Sequence, residues 1–124
     1  MNTTVSRSPV VAATLDTWTS HDWSHGVFLP QLAPQDQLIV CTRNSTYDII
    51  VVVPHTASVL VRGGAYFPTF TPARVAGSSL GGGCLKLHGA YAGFQLELVT
   101  DDLPIITTRV RTVSVIPSRD GAVM

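Results

Sequence analysis

The stretch TYDIIVVVPHTASVLVR, residues 46–62, holds two apolar runs separated by a turn that begins with proline. Residues 46–53 are rich in β-branched side chains, which favour strands, and Pro54 cannot continue a strand interior. Residues 55–57 form a short turn, after which residues 58–62 return as a second strand. The stretch therefore predicts a β-hairpin.

The first strand of this hairpin has apolar side chains on both faces. Ile49, Val51 and Val53 have one parity, and Ile50 and Val52 have the other. Because successive side chains of a strand point to opposite faces, both faces of this strand need a cover. In a domain of this size, the second cover would come from the N-terminal arm or from another subunit.

Further strands are predicted on both sides of the hairpin. They are residues 37–42, 73–76, 84–88, 92–99 and 103–116. In residues 92–99, Phe94, Leu96 and Leu98 alternate with polar residues and should face inward. The last stretch is too long to be straight, and its apolar parity switches near Arg111 and Thr112, which predicts a bulge or a sharp bend.

These patterns predict an all-β fold of six or seven short antiparallel strands. The architecture would be a small barrel, SH3-like or related, or a compact sandwich. Residues 37–116 would form this β-domain, and residues 117–124 a C-terminal tail. Residues 1–36 lack a long periodic pattern and contain both tryptophans, so they are expected to be an irregular N-terminal arm that packs on the domain or on a neighbouring subunit.

The charge content limits the classes of function. Only 13% of the 124 residues are charged, and 8 basic residues balance 8 acidic ones. Nucleic-acid binding draws much of its affinity from many Lys and Arg contacts to phosphate, and this balance gives no such footprint overall. A free monomer usually relies on surface charge for solubility, so the low charge favours a surface partly covered by another chain.

The glycine-rich segment GSSLGGG, residues 77–83, raises the question of phosphate binding. A P-loop places Lys-Ser or Lys-Thr after its glycines and then a helix, whereas this segment leads into a predicted strand. The glycines are therefore interpreted as a structural loop that lets the chain turn between strands. They are Gly77, Gly81, Gly82 and Gly83.

No motif predicts catalysis, a cofactor or a metal. His21 and His25 would share a helix face, but a zinc site needs three or four ligands and no Cys or Glu nearby completes it. Cys84, His88 and Asp101 lack the context of a nucleophile elbow or an activated cysteine. Two cysteines far apart carry no disulfide framework, so whether Cys41 and Cys84 pair stays open.

Aromatic side chains beside arginines form the candidate interaction surface. Its residues are Trp18, Trp23, Arg62, Tyr66, Phe67, Phe70 and Arg74. Such a combination can grip a partner protein or stack nucleic-acid bases. The competing interpretation is that Phe67 and Phe70 fill the end of the barrel.

The sequence therefore favours a non-enzymatic structural, assembly or protein-interaction module. Its partner would be another copy of itself or another protein, in a homo-oligomer or a larger complex. The alternative is a small β-barrel that binds RNA or single-stranded nucleic acid through the aromatic and arginine side chains. No signal-peptide pattern occurs, and no apolar run approaches the ~20 residues that span a bilayer, so a cytoplasmic protein without membrane contact is expected.

Overall fold

The computed structural model describes residues 25–80 and 85–118. In this part of the chain the regular structure is all-β, with nine strands and two single turns of 3-10 helix. The strands are β1 (Gly26–Phe28), β2 (Gln37–Thr42), β3 (Thr46–Val53), β4 (Ser58–Gly63), β5 (Phe67–Ser79), β6 (Leu85–Leu87), β7 (Gly89–Tyr91), β8 (Gln95–Thr100) and β9 (Leu103–Ile116). The predicted all-β class is confirmed.

Seven strands form one antiparallel sheet in the order β4-β3-β2-β9-β8-β5-β6. β4, at one end of this order, also pairs with β5. β1 and β7 form a separate two-stranded sheet. The hairpin predicted for residues 46–62 is present as β3 and β4, joined by a 3-10 turn at Pro54–Thr56 and by Ala57 in the left-handed conformation at φ 57°.

Two long strands change partners along their length. The first part of β5 pairs with β4 and the last part with β8, and Arg74 has partners on both sides. β9 pairs with β8 up to Arg109 and with β2 from Val110 onward. The β2–β9 register shifts between Cys41 and Thr42, opposite Val110 and Thr112. The bulge predicted near Arg111 and Thr112 is therefore confirmed.

β5 is longer than the strand that the sequence predicted at residues 73–76. One strand of 13 residues runs from Phe67 to Ser79. The prolines at 68 and 72 are tolerated because this part of β5 pairs on one side only, with β4, so their missing N–H groups break no second ladder. Gly77 accordingly lies within β5 rather than in a loop, and Gly81, Gly82 and Gly83 lie outside the described residues.

The hydrophobic core lies on the inner side of the large sheet. The predicted inward residues of β8 and its approach, Phe94, Leu96 and Leu98, are fully buried. Ile49 and Val51 are also fully buried, but Val53 is 45% exposed, against the shared parity expected for these three residues. The β3–β4 register shifts between Val51 and Val53, and this irregularity takes Val53 out of the inward row.

Residues 25–36, the described part of the predicted arm, pack on the sheet. Val27 pairs with Ala90 in the small sheet, and Leu29 is fully buried in the core. The carboxylate of Asp36 accepts hydrogen bonds from the backbone N–H of Ala33 at 2.9 Å and of Ser118 at 2.7 Å. This part of the arm therefore belongs to the same packed unit as residues 37–116.

Candidate interaction surfaces

Arg62 is held in place by two neighbours on the outer side of the large sheet. Its Nη2 donates to Asp48 Oδ2 at 2.9 Å, and its guanidinium carbon lies 4.3 Å from the centre of the Phe70 ring. Asp48 and Arg62 are direct partners on β3 and β4, so strand register brings the opposite charges together. The guanidinium is thus engaged by a carboxylate and by an aromatic face.

Of the other predicted surface residues in the described part of the chain, Tyr66 and Phe67 lie in different surroundings from Arg62 and Phe70. Tyr66 is 70% exposed and lines a pocket of about 270 Å³ together with residues 105–108. Phe67 is only 1% exposed and belongs to the core, so it cannot contact a partner. Arg74 is exposed on β5, and Trp18 and Trp23 lie outside the described residues.

A row of side chains, all apolar except that of Gln37, crosses the outer side of the large sheet. Ile116, Gln37, Ile50, Leu60 and Pro72 are successive cross-strand partners on β9, β2, β3, β4 and β5. Ile39 and Val52 share the parity of this row on their own strands. We call its apolar members the outer apolar face, which comprises Ile39, Ile50, Val52, Leu60, Pro72 and Ile116.

The outer apolar face is open to solvent in the described part of the chain. Val52 is 46% and Ile116 47% exposed, and Ile50 and Leu60 are half-buried. A groove of about 460 Å³ lies on this face between residues 34–37 and the side chains of β3 and β4. The outer face of an antiparallel sheet is usually polar, so an apolar row of this kind is unusual for such a face.

The sequence pattern indicates part of the outer apolar face but not the rest. The unbroken apolar run Ile49–Val53 predicted a strand with two apolar faces, which is how Ile50 and Val52 are placed. The outward position of Ile39 could have been predicted in the same way, because residues 38–41 of β2 (LIVC) are also an unbroken apolar run. Leu60, Pro72 and Ile116 join this face only through the pairing of five strands. A local sequence pattern does not show which strands pair.

Both serines of the glycine-rich segment make hydrogen bonds within the protein. The hydroxyl of Ser78, which is fully buried, donates to the Gly89 carbonyl at 2.7 Å and accepts from the Tyr91 backbone N–H at 3.2 Å. The hydroxyl of Ser79 donates to Glu97 Oε2 at 2.5 Å. These contacts join β5 to β7 and β8, so this end of the segment holds strands together.

No cluster with metal-binding character occurs in residues 25–80 and 85–118, where three or more His, Cys, Asp or Glu side chains never come together. Cys41 is a free thiol, while Cys84 and His21 lie outside the described residues. In the same part of the chain, no helix is long and apolar enough to cross a membrane. The cytoplasmic location expected from the sequence stays a prediction.

Burial raises the pKa of the Tyr91 phenol above its ordinary value of 10.0. The protonated form is therefore favoured in the folded state, and the contribution of Tyr91 to stability is fully present below pH 10. As the pH rises above 10, the unfolded chain loses this proton first, so the free energy of unfolding should fall. Urea unfolding followed between pH 8 and pH 11 should show a steeper fall for the wild type than for Tyr91→Phe, and equal slopes would contradict this expectation.

Comparison with protein family models, curated proteins and solved structures gave no significant match to this chain. The fold alone therefore classifies this chain, as an all-β protein with one large antiparallel sheet.

Proposed function

We propose that this protein is a non-enzymatic assembly module whose outer apolar face packs against a second copy of the chain. The observation that supports the proposal is the line of cross-strand partners on five strands, apolar except for Gln37, with Val52 and Ile116 nearly half exposed. Isolated exposed apolar residues are normal on a monomer, but a contiguous row marks an interaction surface.

The proposed architecture behind this face is a small barrel. The support is that β2, β3, β4, β5, β8 and β9 each have a hydrogen-bonded neighbour on both sides, since β4 pairs with β3 and β5. A closed arrangement leaves these six described strands without a free edge. Assembly would then use the face of the sheet rather than the addition of a strand to its edge.

Charge on and around this face suits a second copy. The formal net charge of the chain is zero, so two copies do not repel each other overall. Next to the apolar row, Asp48 and Arg62 already neutralise each other. A two-fold interface places the same patch on both subunits, and a patch that is apolar with a balanced charge pair is compatible with itself.

A matched pair of variants tests this proposal. Val52, on the outer apolar face, and Ile106, on β9 away from it, are 46% and 48% exposed. We expect the wild type to sediment at a multiple of the 13.2 kDa monomer mass. Val52→Lys should lower the mass toward the monomer, because assembly would bury an unpaired charge, and Ile106→Lys should leave the mass unchanged.

Native mass spectrometry of the same samples identifies any co-purifying protein. A wild type that stays at 13.2 kDa at all concentrations would contradict the homo-oligomer. Loss of assembly in both variants, or in neither, would contradict the choice of this face.

Binding of RNA or single-stranded nucleic acid has less support. Its arginine and aromatic side chains were expected to act together, but Arg62 is paired with Asp48, Phe67 is buried, and Tyr66 lines a different pocket from the groove on the outer apolar face. A labelled oligonucleotide that shifts at low salt, and less so as salt rises, would favour this alternative over assembly.

A further inference from the structure

Two arginines meet on the outer side of the large sheet, where β2 ends. The backbone N–H of Arg43 donates to the carbonyl oxygen of Arg109 at 3.0 Å, one residue beyond the cross-strand pair Thr42 and Val110. Thr42 and Val110 are buried, so the adjacent residues point to the opposite side of the sheet, and both arginines are exposed. Their side chains are therefore neighbours on one face.

The β-bulge between β2 and β9 brings these two arginines together. In the register that β2 keeps up to Cys41, Arg43 would lie opposite Val110. The shift between Cys41 and Thr42 moves the pairing by one residue and places Arg43 beside Arg109 instead. Bulges often re-aim a side chain next to a functional site. The meeting of the two cations thus results from a specific irregularity of the sheet.

A pocket of about 310 Å³ lies at this meeting point, and its lining is polar. We call it the arginine pocket, and it is lined by Arg43, Gln95, Thr108 and Arg109. Gln95 is the cross-strand partner of Arg109 on β8, so neighbouring strands present these side chains together. Nη1 of Arg109 donates to the Gly93 carbonyl at 2.9 Å, which uses one of the five N–H donors of its guanidinium and fixes its position.

The arginine pocket concentrates positive charge. Like charges on directly opposed strand positions repel each other. Arg62 is neutralised by Asp48, whereas neither arginine of the pocket forms an ion pair with a carboxylate of residues 25–80 or 85–118. Glu97, which has the parity of Gln95 on β8, accepts a hydrogen bond from the Ser79 hydroxyl instead. An anion that contacts both guanidinium groups would offset their repulsion.

We propose that the arginine pocket binds the phosphate or sulfate group of a small molecule, held between the guanidinium groups of Arg43 and Arg109. The planar fork of a guanidinium matches two oxygens of such a group. The Thr108 hydroxyl accepts from the Asn44 N–H at 3.3 Å and can donate its own proton to the anion. The volume lies at the lower end of the range for small-molecule pockets.

The limited extent of the charge favours a small molecule over nucleic acid. Single-stranded nucleic acid is bound along a positively charged groove with aromatic side chains on which successive bases stack. The arginine pocket has two cations and no aromatic side chain in its described lining. It also shares no residue with the outer apolar face, so binding of the anion and assembly can be tested separately.

An NMR titration of the ¹⁵N-labelled full-length protein tests the proposal. Sodium phosphate and, in a second series, sodium sulfate are added at constant ionic strength, which is maintained with sodium chloride. We expect saturable shifts of the backbone amides of Arg43, Asn44 and Arg109 and of the Nε–H groups of both arginines. Saturation by either anion supports the pocket, and the series that saturates at lower concentration identifies the preferred group.

Arg43→Gln and Arg109→Gln should each raise the dissociation constant about tenfold or more, because each removes one of the two cations that hold the anion. Arg74→Gln is the matched control, since it removes the same charge from an exposed position on β5 outside the pocket, and it should leave the dissociation constant unchanged. Urea unfolding establishes that the variants fold. If Arg109→Gln does not fold without its bond to Gly93, Arg43→Gln decides the question by itself.

Shifts that grow linearly with both anions and never saturate would overturn the proposal. It would also be overturned if Arg74→Gln weakened binding as much as Arg43→Gln, because the anion would then respond to overall charge alone. Binding of a labelled oligonucleotide that requires Arg43, without saturable binding of phosphate or sulfate, would replace the small molecule by nucleic acid.

Discussion

Phe67→Ala should lower the free energy of unfolding by about 3–5 kcal/mol, the range found when a buried aromatic side chain is truncated. Phe67 is 1% exposed and belongs to the hydrophobic core cluster, so truncation of its side chain leaves a cavity in the core. Tyr66→Ala should change the same quantity by less than about 0.5 kcal/mol, because Tyr66 is 70% exposed.

The two neighbours form an internal control for each other. Urea unfolding followed by circular dichroism measures both variants against the wild type. A loss below about 1 kcal/mol in Phe67→Ala, or equal losses in the two variants, would show that Phe67 is not a core residue.

Gly77→Val should destabilise the fold by about 2–6 kcal/mol, which combines backbone strain with overpacking. Gly77 has φ +150°, which a β-branched residue rarely adopts, and a Cβ there would lie 2.2 Å from the Lys86 carbonyl oxygen. Because this oxygen belongs to the backbone of a paired strand, it cannot move away as a flexible side chain could. Gly77 pairs with Leu87 on one side and Glu97 on the other, so the strain would reach both β6 and β8.

Ala76→Val is the matched control for this prediction. Ala76 precedes Gly77 on β5 and is half-buried, and it is not among the described residues with positive φ. We expect a change of about 1 kcal/mol or less, the span of strand propensities. If Gly77→Val is as stable as Ala76→Val in urea, the close approach of β5 and β6 does not constrain this position.

Local pattern predicted most of the strands. The alternation around Phe94, Leu96 and Leu98 gave both the strand and its inward side, and the parity switch near Arg111 gave the bulge of β9. These features depend on the two-residue period of a strand, which is written in the sequence itself. The hairpin at β3 and β4 was predictable for the same reason, with Pro54 marking the turn.

Local pattern was insufficient where pairing decides the outcome. Pro68 and Pro72 precede the strand predicted at residues 73–76, yet both lie in β5. This part of β5 pairs only with β4, so the missing N–H groups of the prolines can face the unpaired side of the strand. Val53 was expected to share a face with Ile49 and Val51, which are buried, but it is exposed because the register of its hairpin shifts. The candidate surface was predicted only in part, since Arg62 and Phe70 meet across strands while Phe67 is buried.

That this chain forms strands, where most of them lie, and that β3 has two apolar faces can be predicted from the sequence. These properties follow from side-chain type and spacing along a short segment. The line formed by Ile50, Leu60, Pro72 and Ile116 is visible only in the folded sheet. This line depends on which distant strands pair and in which register, and a local pattern contains no information about its partner.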